Sequence, residues 1–339
     1  MSEDALNAAV LLANYLLVPG LAYGAQLALG ALGITLAYAV LRFSNFAHGD
    51  TMAFGTACTL LGTAALQSAG IGLGPLPTAL LALPGGILAA ALLSLSFDRL
   101  VYRHHRRVGS PPIVLVIVSV GVMFVTGGLV RLLVGTGDRG FADGERFLVR
   151  ARAFKAATGL DEGLSIRTTQ ALTLVVAIVA MLALFHFLGR TRTGKAMRAF
   201  ADNEELARLS GIDPARVVRV TWILVAALAT LAGVLYGLDK SFRPFTYFQL
   251  LLPMFAAAIV GGIGKPLGAV LGGFLVAFSE IALTYAWKQF LVYVLPAERA
   301  PVSLVQPLST DYKLAVSFVI LVLVLLWRPS GLLGTGTRR

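Results

Sequence analysis

Residues 112–134 read PIVLVIVSVGVMFVTGGLVRLLV, an apolar run whose one charge is Arg131. A helix that crosses the hydrocarbon of a bilayer needs about 20 such residues. The run does not alternate apolar with polar, as a membrane β-strand must. Comparable stretches lie outward from it at 15–40, 51–69, 76–101, 169–188, 216–238, 249–263, 266–287 and 312–328. Nine crossings at about 20 residues each would use roughly 180 positions and leave room for short loops. The 339 residues are 57% hydrophobic and only 13% charged. Soluble domains carry about 25% charged residues. The chain therefore reads as a single all-α polytopic integral membrane domain, 1–339, of about nine helices (8–10), two of them broken or short. Cys58 is the single cysteine, which excludes a disulfide-built secreted fold.

The net charge of +11 acquires meaning from its placement. Segment 98–109 holds Arg99, Arg103, Arg106 and Arg107 against Asp98 alone. Segment 189–219 carries seven basic residues against four acids, and the tail ends in Arg338-Arg339. The N-terminus bears Glu3 and Asp4 with no early Lys or Arg, so it does not resemble a cleavable signal peptide. Lys and Arg accumulate in cytoplasmic loops. The basic loop 98–109, the segment 190–215 and the C-terminus are thus expected inside, and the N-terminus outside. Nine spans demand that same arrangement. Segments 135–168, 239–248 and 288–311 then fall outside, although 135–168 carries six basic residues against five acids. Basic loops of this kind explain the charge without nucleic acid.

Two clusters interrupt the apolar pattern. Asn45-Phe46-Ala47-His48-Gly49-Asp50 follows the first stretch, and Gly261-Gly262-Ile263-Gly264-Lys265-Pro266-Leu267-Gly268 follows the seventh. Interrupted hydrophobic segments in both halves of a chain point to a transport pathway. A further break is expected near Pro19-Gly20, preceded by an interfacial half-helix at 5–13. Asp50 is either an N-cap for helix 51–69 or a pathway element. Glu280, deep in the eighth stretch, reads as a buried acid that hydrogen-bonds between helices, since ionisable groups there are costly.

Segment 190–215 reads RTRTGKAMRAFADNEELARLSGIDPA. Asp202 followed by Glu205 has capping-box spacing. Gly211 suits a left-handed helix stop. Asp213 can cap the next helix, with Pro214 at its first position. The pattern is helix, stop, restart, on the cytoplasmic side.

Glu205-Leu206-Ala207 followed by Gly211 resembles the EAA-x-x-x-G coupling motif of ABC-importer permeases, with leucine at its second position. The proline expected further along is absent, since Thr221-Trp222-Ile223-Leu224 stands there. That departure is similar to the branched-chain amino-acid permease family. Three blocks carry the closer likeness: Ala28 to Tyr38 with Asn45 to Asp50, Arg192 to Gly237, and Gly261 to Gly273 with Arg328-Pro329-Ser330-Gly331-Leu332-Leu333-Gly334. The Asn-Phe-Ala-His-Gly-Asp block resembles the LivH-type subunit. The resemblance implies an ABC-importer permease fold in a bacterial inner membrane and uptake of branched-chain amino acids. It also implies a LivM-like second permease, two ATPase subunits and a periplasmic binding protein as partners. Arg192, Gly194, Lys195, Arg198, Asn203, Glu204, Glu205, Ala207 and Gly211 would couple to the ATPase. Asn45, Phe46, His48, Asp50, Gly261, Gly262, Gly264 and Glu280 would line or gate the path.

No nucleophile–base set or Cys/His zinc spacing is written in the chain. It also lacks a Walker loop, so no cofactor is expected on this chain and ATP would be used by partner subunits. Three other readings stay open at this level: a permease for urea, short amides or another amino-acid-like solute, a stand-alone secondary transporter, and a membrane enzyme built on His48 and Asp50.

Overall fold

The computed structural model describes residues 3–141, 143–296, 301, 303, 305–328 and 330–333. The motif residues Pro329 and Gly334, and the tail arginines Arg338 and Arg339, lie outside that set.

Helix α1 (Glu3–Leu12) passes through a π-helical turn at Ala13–Leu17 into α2 (Val18–Leu41). The break expected near Pro19-Gly20 is absent. The helix runs on through Pro19, and the π-helical turn at Ala13–Leu17 just before it is the local irregularity that accommodates a proline inside a continuous helix. Then come α3 (His48–Ser68) and α4 (Ala79–Phe97), which runs through a π turn (Asp98–Tyr102) into α5 (Arg103–Val108). The basic segment 98–109 is therefore helical rather than a loop. It ends at Gly109, whose φ of 72° is the left-handed stop. Helix α6 (Pro112–Val134) is followed by a folded connection. A two-stranded ladder, β1 (Phe147–Val149) with β2 (Ile166–Arg167), encloses α7 (Ala151–Thr158). Helices α8 (Thr168–Arg190), α9 (Arg192–Asp202), α10 (Glu204–Leu209) and α11 (Pro214–Asp239) come next. The chain closes with α12 (Pro244–Gly261), α13 (Pro266–Thr284), α14 (Lys288–Val294) and α15 (Lys313–Trp327).

Eight helical segments among the described residues are long and apolar enough to cross a membrane. Helix α3 is long enough but rich in Thr and Gly, and it crosses inside the bundle against α4, α6, α11 and α12. Thr51, Thr56, Thr59 and Thr63 each donate to the carbonyl four residues back, all at 2.8 Å. Their hydroxyls are satisfied within the helix, so a weakly apolar helix can stay dry. The core axis is α2, buried along most of its length by α11, α13 and α12.

The loops sort to two ends. At one end Asn7 and Asn14 accept from the backbone of Glu162 and Ser165, Thr78 N–H meets Asp143, and Arg139 pairs with Phe242. At the other, Arg42 donates to Ala201, Tyr102 to Asn45, and the C-terminal Leu332 to Val260. The N-terminus and the last described residues are thus at opposite ends, as nine crossings require.

Candidate functional site

Two neighbouring structures occupy the basic end. The first is the connection 42–47. Helix α2 stops at Arg42, the one non-glycine residue with positive φ (61°) among those described. The chain then turns back along the helix it has left. A Cβ on Gly33 would lie 2.6 Å from His48 Cε1, so the His48 ring is set against α2 two turns before its end. The segment is re-entrant. Asn45 Oδ1 accepts from Ala47 N–H at 3.1 Å and holds the turn into α3. Ser119 of α6 accepts from Phe46 N–H at 3.0 Å.

Asp50 does not cap α3. The helix already starts at His48 with Ala47 before it, so the carboxylate lies in the first turn and near its N–H groups. It faces α6, where a Cβ on Gly127 would come within 2.8 Å of Oδ1. His48 and Asp50 thus each occupy a notch that glycine alone leaves open. Phe46 is partly exposed beside them, its ring 5.5 Å from that of Phe255 in α12. Sequence reasoning found Asn45, Phe46, His48 and Asp50 but not Ser119 or the notch role of Gly33 and Gly127. Glycine inside an apolar stretch is the only signal, and it does not say what it admits.

The second glycine cluster separates two helices, as its place between the seventh and eighth stretches implies. It is the tight turn between α12 and α13, with Gly262 at φ 105° and Gly264 at φ 82°. Gly261 and Gly268 face each other so closely that a Cβ on either would sit about 2 Å from the other's carbonyl oxygen (2.0 and 2.1 Å). Leu332 and Leu333 donate to the carbonyls of Val260 and Gly261 at 2.8 and 3.2 Å, which satisfies the end of α12. The C-terminal segment is thereby seated on this turn. Glu280 lies apart from the turn, toward the opposite end. It is fully buried, accepts from Ser317, and meets Lys313 Nζ at 3.4 Å, while that ammonium stands 3.8 Å over the Tyr23 ring. It joins helices, as the sequence suggested, and does not touch the His48–Asp50 region.

The segment 190–215 is the second structure. Thr191 caps α9 by accepting from Gly194 N–H at 2.9 Å. Asn203, not Asp202, caps α10, accepting from Leu206 N–H at 3.1 Å. The capping box expected from Asp202 and Glu205 fails because α9 continues through Asp202, and the chain is extended only at Asn203. Gly211 takes φ 81°, and Ile212 N–H reaches back to Ala207 O at 3.1 Å, closing the helix as expected. Asp213 then caps α11 at Ala215 N–H, 2.9 Å, with Pro214 in the first turn. Met197, Phe200 and Ala207 are buried beneath, whereas Leu206 and Leu209 are 61% and 84% exposed. Lys195, Arg198, Glu205 and Arg192 decorate the solvent side, and Glu204 pairs with Arg208. The capped hairpin thus leaves an apolar pair, Leu206 and Leu209, uncovered.

At the opposite end, Arg243 donates from Nε and Nη2 to Asp138. These hydrogen bonds hold the Asp138 carboxyl below the usual carboxylate range.

The family described as "Branched-chain amino acid transport system / permease component" matches residues 16–325. The chain is 34% identical over 319 residues to the high-affinity branched-chain amino acid transport system permease protein LivH of Escherichia coli K12, covering 93% of each chain. It is 30% identical to the corresponding BraD protein of Pseudomonas aeruginosa over 94% of each. A weaker likeness, 26% over 166 residues, links 48% of the chain to 34% of the E. coli permease protein LivM.

Proposed function

The chain belongs to the branched-chain amino-acid transport permease family, and we propose on that premise that it admits branched-chain amino acids through half of a translocation pore. The chain is a multi-pass membrane permease. The other half of the pore is a LivM-like subunit. Two cytoplasmic ATPase subunits bind the basic end, and a periplasmic binding protein meets the opposite end. The membrane is then the bacterial inner membrane, with the N-terminus outside and the C-terminus inside. This chain holds no cofactor and performs no catalysis, and ATP is spent by its partners.

The observation that carries the reading is the hairpin α9–α10. Three side-chain caps and one left-handed glycine fix it, and it presents Leu206 and Leu209 outward. Such a hairpin fits an ATPase groove. The re-entrant segment 42–50 supplies the path. A zwitterionic solute that sheds water needs backbone groups and helix ends more than fixed charges. Asn45, Phe46, His48 and Asp50 provide them, while the Gly261–Gly264 turn beside α12 supports the wall. Replacing Glu205 with Lys and Gly211 with Leu together tests the reading. Solute-coupled ATP hydrolysis by the reconstituted complex should be lost while the protein still reaches the membrane. Undiminished uptake would overturn the docking assignment.

A further inference from the structure

A chain of buried contacts joins the re-entrant segment to the helix that leaves the coupling hairpin. Trp222 of α11 donates its indole N–H to Asp98 Oδ1 at 2.7 Å, and Arg106 donates to the same oxygen at 2.6 Å. The Tyr102 ring stacks on Trp222, with centroids 5.2 Å apart at 24°. Its hydroxyl reaches Asn45 Oδ1 at 3.4 Å, the oxygen that also holds Ala47 N–H. Asp98, Tyr102, Trp222 and Asn45 are all buried. On the other side of the segment, the guanidinium of Arg42 donates to Ala201 O, near the end of α9.

Besides the Ser119 contact with α6, the connection 42–47 is gripped at both ends. Arg42 ties its start to α9, and Asn45 ties its end, through Tyr102, to α11. Helix α11 runs unbroken from its Asp213 cap past Trp222, so a tilt of the hairpin would carry the indole with it. A buried carboxylate is costly unless fully paired. Asp98 holds two donors at one oxygen, which locks the Trp222–Tyr102 stack to the end of α4 rather than leaving it to slide.

We propose that Arg42, Asn45, Asp98, Tyr102 and Trp222 are positioning residues that transmit movement of the coupling hairpin to Phe46, His48 and Asp50. The inference rests on the importer reading above. It goes beyond that reading by naming the route and by giving Asp98, Tyr102, Trp222 and Arg42 a part in transport.

The test uses the assembled complex in proteoliposomes and measures solute moved per ATP hydrolysed. Trp222→Phe keeps a ring on Tyr102 but removes the donor to Asp98. Arg42→Ala removes the grip on α9 from an exposed position where truncation does not threaten folding. Each should lower the transport-to-hydrolysis ratio about tenfold, the loss expected for one hydrogen bond with a charged member. A purely structural role would lower yield or melting temperature and leave that ratio unchanged. An unchanged ratio in both variants overturns the inference. A parent complex that hydrolyses ATP without moving solute would instead sink the importer reading, and this inference with it.

Discussion

Gly268→Ala probes one of the tightest helix contacts among the described residues. The new Cβ would lie 2.1 Å from Gly261 O and 2.7 Å from Gly261 C, both backbone atoms that cannot rotate away. Ordinary contact begins near 3.4 Å, so the shortfall is 3.4 − 2.1 = 1.3 Å, and α12 and α13 must part by about that much. In lipid, helices associate through packing rather than the hydrophobic effect, so separation is felt directly. If ~30 atom pairs along the hairpin each lose half of ~0.15 kcal/mol, the loss is about 2 kcal/mol. That agrees with the ~1–3 kcal/mol typical of overpacked cores. Gly128→Ala supplies the control. Nothing stands within 4 Å of its Cβ, and alanine should stabilise α6 by about 0.5–1 kcal/mol. Unfolding of the two purified variants in mixed micelles, followed by helical circular dichroism, should separate them by about 3 kcal/mol. A difference below about 0.5 kcal/mol would refute the claim that these glycines exist for contact.

Other outcomes follow from the same structure. Lys313→Met leaves Glu280 buried without its cation and should cost about 3–5 kcal/mol, while adding Glu280→Met should recover most of it. A double variant as unstable as the single would contradict the pairing. Gly211→Ala meets no atom within 4 Å but must hold φ 81°, so about 1–2 kcal/mol of strain should fray α10. Faster amide exchange at 206–212 should report it, with the membrane helices unchanged. Asp138 has a depressed pKa, so its contribution is present above the ordinary carboxylate value and lost only as pH falls through the lower one. Acidifying the Asp138 side from pH 7 to 5 should therefore leave the Arg243 contact closed. An Asp138→Asn variant that matches the parent at pH 5 but not at pH 7 would show otherwise.

The fold class and the order of the long helices were legible in the sequence. Apolar length, the sorting of Lys and Arg, and the alternation of Gly211, Asp213 and Pro214 are local signals, each written within one helix or one turn. The expected spans agree with the helices to within a few residues, and the hairpin α9–α10 closes at Gly211 and restarts at Asp213 as its residues indicate. What failed were choices between adjacent possibilities. Asn203 displaced Asp202 as a cap, and a π turn displaced the break at Pro19-Gly20, because tertiary packing selects among nearly equal local options. That 42–47 folds back into the bundle emerges only from the packing of the helices. The same packing decided that Gly33 and Gly127 are notches for His48 and Asp50, and that Trp222 reaches Asp98 across 124 positions. A glycine or a tryptophan in a membrane helix carries no mark of what will stand opposite. That identity depends on how separate helices approach in space, which no local pattern encodes.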